Sequence, residues 1–305
     1  MATEIPFNRD FECVYGAIED VSPLVRRVVA RNPSPFTFKG TATFIVGRGK
    51  VAVMDPGPDL AEHVAALTGA LRGESVTHIV VTHTHSDHSP AAAALKSATG
   101  ARTYGYGRHG SARAEDRSGI GGKTEEGGDH SFVPDVVLRE GDTVEGPGWR
   151  LTAVETPGHT SNHLCYALPE EGTLFTGDHV MGWSTSVITP PDGDMAAYMR
   201  SLDKLLRRED GLYRPTHGAA IANPHPYVRA FIAHRNERAD AILARLAAGD
   251  ETIEAIVRNV YAGLDPRLVA AAGRSVLAHL VQLVEEGRVH SSGPPRLDAR
   301  YRLKP

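Results

Sequence analysis

Cysteine is scarce in this sequence, since Cys13 and Cys165 are the only two in 305 residues. Two thiols exclude a disulfide framework and indicate a reducing compartment. No apolar run approaches the roughly 18 residues that cross a bilayer. Residues 1–12 also lack the basic and apolar regions of a signal peptide. We therefore expect a cytoplasmic protein with no membrane partner.

An excess of charge of one sign is lacking as well. The 33 basic and 37 acidic side chains leave a net charge of −4, which excludes the strong basic field of a phosphate-driven nucleic-acid binder. Apolar residues make up 41% of the chain, as in ordinary globular proteins, so a disordered chain is excluded too. The length predicts about two domains.

Strands and helices alternate through the first two thirds of the chain. Strands are predicted over 43–46 and 51–54, with a turn at 47–50, and over 78–81, 133–145, 149–155, 163–168, 173–177 and 211–216. Helical spacing of apolar residues marks 60–72, 90–100 and 194–208. Residues 107–131 are polar and glycine-rich. A long polar loop in a compact domain is often functional, and we predict that this one forms a mobile wall of a binding cleft. Two β-rich halves with helices outside predict an α/β sandwich.

The last third of the chain is predicted to be mostly helical. A long helix over 226–248 is followed by helices at 253–260, 265–272 and 276–286, and then by a terminal β-hairpin. Three helices with a hairpin indicate a small winged-helix domain. We predict an α/β domain over 1–222, a connecting helix over 223–249 and a winged-helix domain over 250–305, which serves packing or homodimer formation.

Histidine is abundant, with 15 residues in the chain, and four metal-type side chains are concentrated in six positions. His83, His85, Asp87 and His88 follow a predicted buried strand and precede a helix, so they lie at a sheet edge that faces a crevice. His83 and His85 point the same way because side chains alternate in extended chain. Imidazole and carboxylate are ligands for zinc and iron, and Asp87 with His88 can face a second ion.

Three further metal-type residues each follow a predicted strand. His159 comes after 149–155, Asp178 after 173–177 and His217 after 211–216. The ends of neighbouring strands share a sheet edge, so these side chains are predicted to join the first four. Asp55 likewise follows the hairpin, directly before Pro56.

This set of residues resembles the five motifs of the metallo-β-lactamase-fold hydrolases. The resemblance implies an αββα sandwich, followed here by the small C-terminal winged-helix domain. It also implies a binuclear site for two Zn²⁺, although iron or manganese is compatible with the same ligands. By motif position, His83, His85 and His159 hold one ion, while Asp87, His88 and His217 hold the other. Asp178 bridges the two ions, and Asp55 lies behind the ligands and orients one imidazole.

The resemblance extends to the β-lactamase-like protein 2 group over nearly the whole chain. It rests on residues 32–37, 40–41, 177–182 and 232–235 and on the winged C-terminal region. One departure is visible, because the group usually has asparagine where this chain has Ala42. Resemblance to this group favours cleavage of single-stranded RNA as the activity. Five basic residues and one acidic residue in 288–305 agree with an RNA partner.

The predicted chemistry is hydrolysis by a metal-bridging hydroxide, since two dications lower the pKa of a shared water. Asp87 is predicted to orient that hydroxide, and His179 or His163 to protonate the leaving group. The alternative to an RNA phosphodiesterase is a glyoxalase II-like thioesterase or lactonase acting on a small molecule. A mononuclear iron persulfide dioxygenase and a non-enzymatic winged-helix regulator remain further alternatives.

His234, Arg235 and Arg238 lie at helical spacing on the predicted long helix. We interpret them as a solvent-exposed helix face. The alternative is that they face the cleft.

Overall fold

Two β-sheets packed face to face form the centre of the molecule, as described by a computed structural model for residues 4–113 and 127–304. Residues 114–126 of the predicted polar loop lie outside the described residues. In the first sheet the strands are β1 (Ile18–Asp20), β2 (Val25–Val29), β3 (Ala42–Val46), β4 (Lys50–Met54), β5 (Ser75–Val80), β6 (Arg102–Gly105) and β7 (Val136–Val137). Strands β1 to β4 are antiparallel neighbours, whereas β4 to β7 run parallel.

The second sheet is formed by β8 (Thr143–Gly146), β9 (Trp149–Glu155), β10 (Leu164–Leu168), β11 (Thr173–Gly177), β12 (Leu212–Pro215) and β13 (Ile221–Ala222). Its strand order is β13-β12-β11-β10-β9-β8, and β11 and β12 are parallel. Phe44 and Met54 of the first sheet pack against Tyr166 and Phe175 of the second in one buried cluster. The main core therefore lies between the sheets.

Helices cover the outer face of each sheet. They are α1 (Ala61–Ala70) and α2 (Ala91–Thr99) on the first sheet and α3 (Met195–Leu205) and α4 (Pro224–Ala247) on the second, and the chain continues with α5 (Ile253–Val260) and α6 (Val269–Glu285). Leu67 of α1 and Leu95 of α2 pack on the first sheet, whereas Leu202 of α3 and Phe231 of α4 pack on the second. The predicted αββα sandwich is confirmed by this layering. None of the helices in the described ranges is long and apolar enough to cross a membrane.

The C-terminal unit consists of α5, α6 and a hairpin of β14 (Val289–Ser291) and β15 (Tyr301–Leu303). Its core includes Ile253, Val276 and Tyr301, together with Ile242 and Leu246 from the end of α4. The first half of α4 packs on the second sheet and its second half on the winged helix. This one helix therefore connects the two units.

Four predicted elements differ from the structure. The single strand over 133–145 is two strands in different sheets, because the chain turns at 139–142 with Gly141 at φ +82°. The separate helices over 265–272 and 276–286 are largely one helix, α6, which continues through Gly273 without a break. The long helix begins at Pro224 rather than after Pro226, because the first helical turn needs no N–H partners.

Candidate metal centre

Strand ends deliver the predicted ligands to one edge of the sandwich. The loop over 83–88 follows β5, Asp178 follows β11 and His217 follows β12, while His159 follows β9. Their nitrogen and oxygen atoms form three groups of donors, and within each group the atoms lie within 4.8 Å of one another. The groups are His83 with His85 and His159, His83 with His88 and Asp178, and Asp87 with His88 and His217. The structure thus brings all seven predicted ligands together.

The first trio, His83 with His85 and His159, consists of three imidazoles. Nδ1 of His85 lies 3.0 Å from Nε2 of His83 and 3.0 Å from Nε2 of His159. The outer Nδ1 of His159 lies 2.6 Å from the backbone oxygen of Val187, to which it donates. This bond fixes the ring so that Nε2 carries the lone pair that a metal requires.

The second trio, Asp87 with His88 and His217, combines two imidazoles with a carboxylate. Nδ1 of His217 donates to the backbone oxygen of Gly40 at 3.1 Å, so its Nε2 faces the carboxylate. Oδ2 of Asp87 lies 3.1 Å from Nε2 of His217 and 3.4 Å from Nε2 of His88. Both Nε2 atoms are therefore available to one ion beside Asp87.

Asp178 lies between the two trios. Its Oδ1 is 3.4 Å from Nε2 of His217 and 3.6 Å from Nε2 of His88. Its Oδ2 is 3.7 Å from Nε2 of His159. A carboxylate that reaches one trio with each oxygen has the position of a bridging ligand.

The donor set fits divalent metal ions. Nε2 of His88, Nε2 of His217 and Oδ1 of Asp178 are buried, and none has a hydrogen-bond partner among the described residues. Buried polar atoms are normally paired, so such a group of orphaned donors indicates a ligand. Burial holds the pKa of His83 and of His85 well below the usual range, which keeps both lone pairs free.

Asp55 is the hub of the contacts behind the ligands. Its carboxylate accepts hydrogen bonds from the backbone N–H of Thr82 at 2.8 Å, from the Thr82 hydroxyl at 2.8 Å and from the Thr216 hydroxyl at 3.0 Å. Nδ1 of His88 lies 3.0 Å from Oδ2 of the same carboxylate. Asp55 therefore orients one ligand imidazole and links two of the ligand loops.

Sequence reasoning did not single out the hydroxyl and amide partners of the ligands. Thr82 directly precedes His83, Thr216 directly precedes His217, and Thr41 donates to Oδ2 of Asp87 at 3.3 Å. Asn32 in turn donates from its side-chain amide to the Thr41 hydroxyl at 2.9 Å. A threonine immediately before a ligand histidine, seen three times at 82–83, 84–85 and 216–217, was the available signal.

Glycines precede two ligands because no side chain fits there. A Cβ at Gly177, whose φ is +49°, would lie 2.6 Å from Nε2 of His163. A Cβ at Gly158 would lie 2.4 Å from the backbone of Tyr198. These close approaches hold Asp178 and His159 against the centre.

His163 and His179 are buried behind the ligands. Nε2 of His163 accepts a hydrogen bond from the backbone N–H of Asp178 at 3.3 Å, and its Nδ1 lies 2.9 Å from the hydroxyl of Thr156. His179 packs against the ring of Tyr198 at 4.7 Å, and burial lowers its pKa to about 3. Their predicted role as proton donors stays a prediction.

A cavity of about 360 Å³ lies between the catalytic unit and the winged helix. Val187, whose carbonyl holds the ring of His159, is one of the residues that line it. Phe36 lines both this cavity and a smaller one beside Asp87 and Asp178. The volume falls in the range of small-molecule sites, and the shared Phe36 places the two cavities next to each other.

Comparison with known proteins supports the interpretation of the donor cluster as a metal-binding site. Residues 36–217 match the family described as the metallo-beta-lactamase superfamily, and residues 252–294 match the beta-lactamase associated winged helix domain. A beta-lactamase-like protein 2 homolog of Drosophila melanogaster is 32% identical over 289 residues, covering 90% of this chain and 93% of that protein. An atrochrysone carboxyl ACP thioesterase of Claviceps purpurea is 30% identical over 253 residues, covering 80% of this chain and 74% of that protein.

A solved structure agrees in shape as well as sequence. A metallo-beta-lactamase family protein from Thermus thermophilus superposes with a TM-score of 0.73 at 26% identity, and the match covers 93% of this chain and all of that one. With the match over 36–217, the donor cluster and these relatives, the chain belongs to the metallo-beta-lactamase superfamily and is a metal-dependent hydrolase with a C-terminal winged-helix domain.

Proposed function

We propose that this protein is a binuclear zinc hydrolase whose substrate is a thioester or a related ester. The observation that carries the two-metal part is the placement of Asp178, whose two oxygens face the two trios separately. His83, His85 and His159 would hold one ion, and Asp87, His88 and His217 the other. Nitrogen and carboxylate donors of this kind suit zinc.

The two ions, when bound, supply a water of lowered pKa and positive charge that stabilises an oxyanion. The residues of the chain prepare the site for this chemistry. Asp178 fixes the distance between the trios. Asp87 is held by the hydroxyl of Thr41 and offers an oxygen that orients the attacking water. Asp178 is buried and the side chain of Asp87 is 19% exposed, so bulk water has little access to these contacts.

The apolar wall of the cavity between the two units supports a thioester substrate. Ile188, Leu264 and Ala272 are among its lining residues, and such a wall suits an acyl group. The thioesterase name of the Claviceps purpurea relative points to the same substrate class.

Single-stranded RNA is the second candidate substrate, favoured by the five basic residues of the terminal segment. Part of that charge is already paired, because Arg300 and Arg302 both contact Glu251, at 3.2 and 2.6 Å. Arg288 lies 3.6 Å from Glu286. The hairpin therefore offers phosphate less free charge than its sequence indicates.

The test is a substrate panel on the zinc-loaded full chain: an aryl thioester, a lactone, a bis-aryl phosphate, single-stranded RNA and a β-lactam. We expect the thioester to give the highest kcat/KM, and Asp178→Asn and His83→Ala to lower it by roughly 100-fold or more. Asp203→Asn, on the exposed face of α3, is the matched control and should retain activity.

Metal analysis accompanies the kinetics. Two zinc ions per chain are expected, whereas one iron per chain would contradict the proposal and favour a dioxygenase. RNA cleavage that exceeds thioester hydrolysis, and that is lost in Asp178→Asn, would replace the thioester assignment. Full activity of either ligand variant would refute the site itself.

A further inference from the structure

Arg235 on α4 is a buried cation without an acidic partner. Its residue is 5% exposed, and one guanidinium N–H donates to the backbone oxygen of Ser186. Nε has no hydrogen-bond partner, and no carboxylate lies within 4.0 Å of the guanidinium in the described ranges. Asp240 and Glu286 border a separate cavity on another side of Arg235, beyond ion-pair distance. The ring of Tyr198 lies 5.5 Å from the guanidinium carbon but carries no negative charge. A buried charge is costly unless it is paired, which indicates that an anion from outside the chain completes this site.

The cavity that Arg235 lines is basic on one wall. His234, Arg235 and Arg238 come from α4 and Arg274 from α6, while the lining residues include no aspartate or glutamate within the described part of the chain. Burial, and then the two neighbouring arginines, lowers the pKa of His234 to about 4, so its ring is neutral and adds hydrogen-bonding capacity rather than charge. The face interpreted from the sequence as solvent-exposed is therefore turned inward at Arg235 and lines this cavity.

The remaining walls are apolar and partly aromatic. The guanidinium of Arg238 lies 4.4 Å from the ring centre of Tyr261, which fixes a flat cationic surface. Leu264, Leu268 and Ala271 extend the apolar wall from the winged helix. The catalytic unit closes the other side with residues 184–189, which include the Val187 carbonyl that holds the ligand His159.

We infer that this interdomain cavity binds the acyl half of the substrate, and that the acyl group is apolar and carries a carboxylate that Arg235 and Arg238 receive. The inference rests on the proposed ester or thioester hydrolysis and specifies which acyl groups are cleaved. It also gives the winged helix a function, since Tyr261, Leu264 and Leu268 supply one wall of the specificity site.

The first test measures binding without catalysis, by titration calorimetry of the full chain. The probes are 2-naphthoate and its neutral counterpart 2-naphthamide. We expect naphthoate to bind about 10-fold more tightly than naphthamide, because hydrogen bonds to a charged group are worth about a factor of ten or more. Arg238→Met and Arg235→Met should abolish this preference, whereas Arg229→Met, on the exposed face of the same helix, should keep it.

Variants address folding and alternative binding positions. If Arg235→Met does not fold, two other variants carry the test. Arg235→Lys retains the positive charge, and Arg238→Met changes a residue that is only half-buried. Naphthoate bound at the metals would show the same preference in every arginine variant, and that result would overturn the inference. Equal affinities for the two probes in the wild type would overturn it as well.

The second test measures selectivity in catalysis. The substrates are the N-acetylcysteamine thioesters of 2-naphthoate and of 6-carboxy-2-naphthoate. The wild type should favour the carboxylated substrate in kcat/KM, and Arg238→Met should remove this ratio while Arg229→Met keeps it. Arginine-dependent naphthoate binding without any thioester hydrolysis would refute the proposed function and leave the acid-binding cavity standing.

Discussion

Nδ1 of His88 lies 3.0 Å from Oδ2 of Asp55, and the two side chains are 0% and 1% exposed. The ring is therefore fixed with Nε2 towards the second trio. Asp55→Asn replaces an acceptor by an amide and removes this orientation. In the proposed binuclear centre, we expect the zinc affinity of the trio Asp87, His88 and His217 to fall about 10- to 100-fold, while the three-histidine trio keeps its affinity. Zinc competition with a chelator measures both sites, and an equal loss at the two sites would contradict this role.

Metal binding should release protons from the second trio. Burial favours neutral imidazoles, but Asp178 and Asp87 outweigh it and raise the pKa of His217 to about 10. The carboxylates around His88 raise its pKa well above the usual range in the same way. A metal requires the neutral ring, so at pH 7 about two protons should leave per chain and zinc affinity should rise with pH.

Calorimetric zinc titrations in buffers of different ionisation enthalpy measure this release. The variant His217→Gln should release about one proton fewer than the wild type. A heat of binding that is independent of the buffer would show that these histidines are already neutral in the metal-free protein.

The pH profile distinguishes two roles of His163. As an acid for the leaving group it must hold a proton near neutral pH, but burial, and then the neighbouring histidines, keeps its pKa well below the usual range. Its contact with the backbone N–H of Asp178 instead favours positioning of the bridging carboxylate. We expect His163→Gln to lower kcat by about 10-fold or more with an unchanged shape of the pH–rate profile. Loss of the basic limb of the profile would establish the proton-donor role.

Asp135 connects α2 to the first sheet. Its carboxylate accepts hydrogen bonds from Lys96 at 2.5 and 2.7 Å and from Thr103 at 2.9 and 3.0 Å. The Lys96 contact, followed by the backbone N–H of Thr103, lowers the pKa of Asp135 to about 2. A lowered pKa stabilises the fold above the ordinary aspartate value and loses this contribution as the pH falls through the folded value.

Asp135→Asn should therefore reduce the free energy of unfolding by about 0.5–1 kcal/mol at pH 7, because water partly screens the exposed Lys96 contact. The difference from the wild type should be constant at about pH 6–8 and should shrink between about pH 4 and pH 2. Urea unfolding at several pH values measures it, with Asp203→Asn as the exposed control. A difference that does not change with pH would show that charge is not the cause.

Local signals explain why the ligands were predictable. The stretch 83–88 carries four donor residues in one loop, and each later ligand follows a strand, where open α/β sheets place their ligand sites. The first strand, β1, could not be predicted from an apolar pattern because it is exposed and only three residues long. The prediction of one strand over 133–145 was wrong because two adjacent short strands of different sheets have the pattern of one continuous segment.

The sequence by itself determined the donor types, their positions at strand ends and the order of the two units, since these follow from local patterns of residues. Only the tertiary structure decided which nitrogen of each histidine faces the centre, because that depends on acceptors from distant segments, such as Gly40 for His217 and Val187 for His159. Likewise, helical spacing cannot tell a solvent-exposed face from one covered by another unit. The packing of the winged helix on α4 decided that Arg235 is buried beside a cavity.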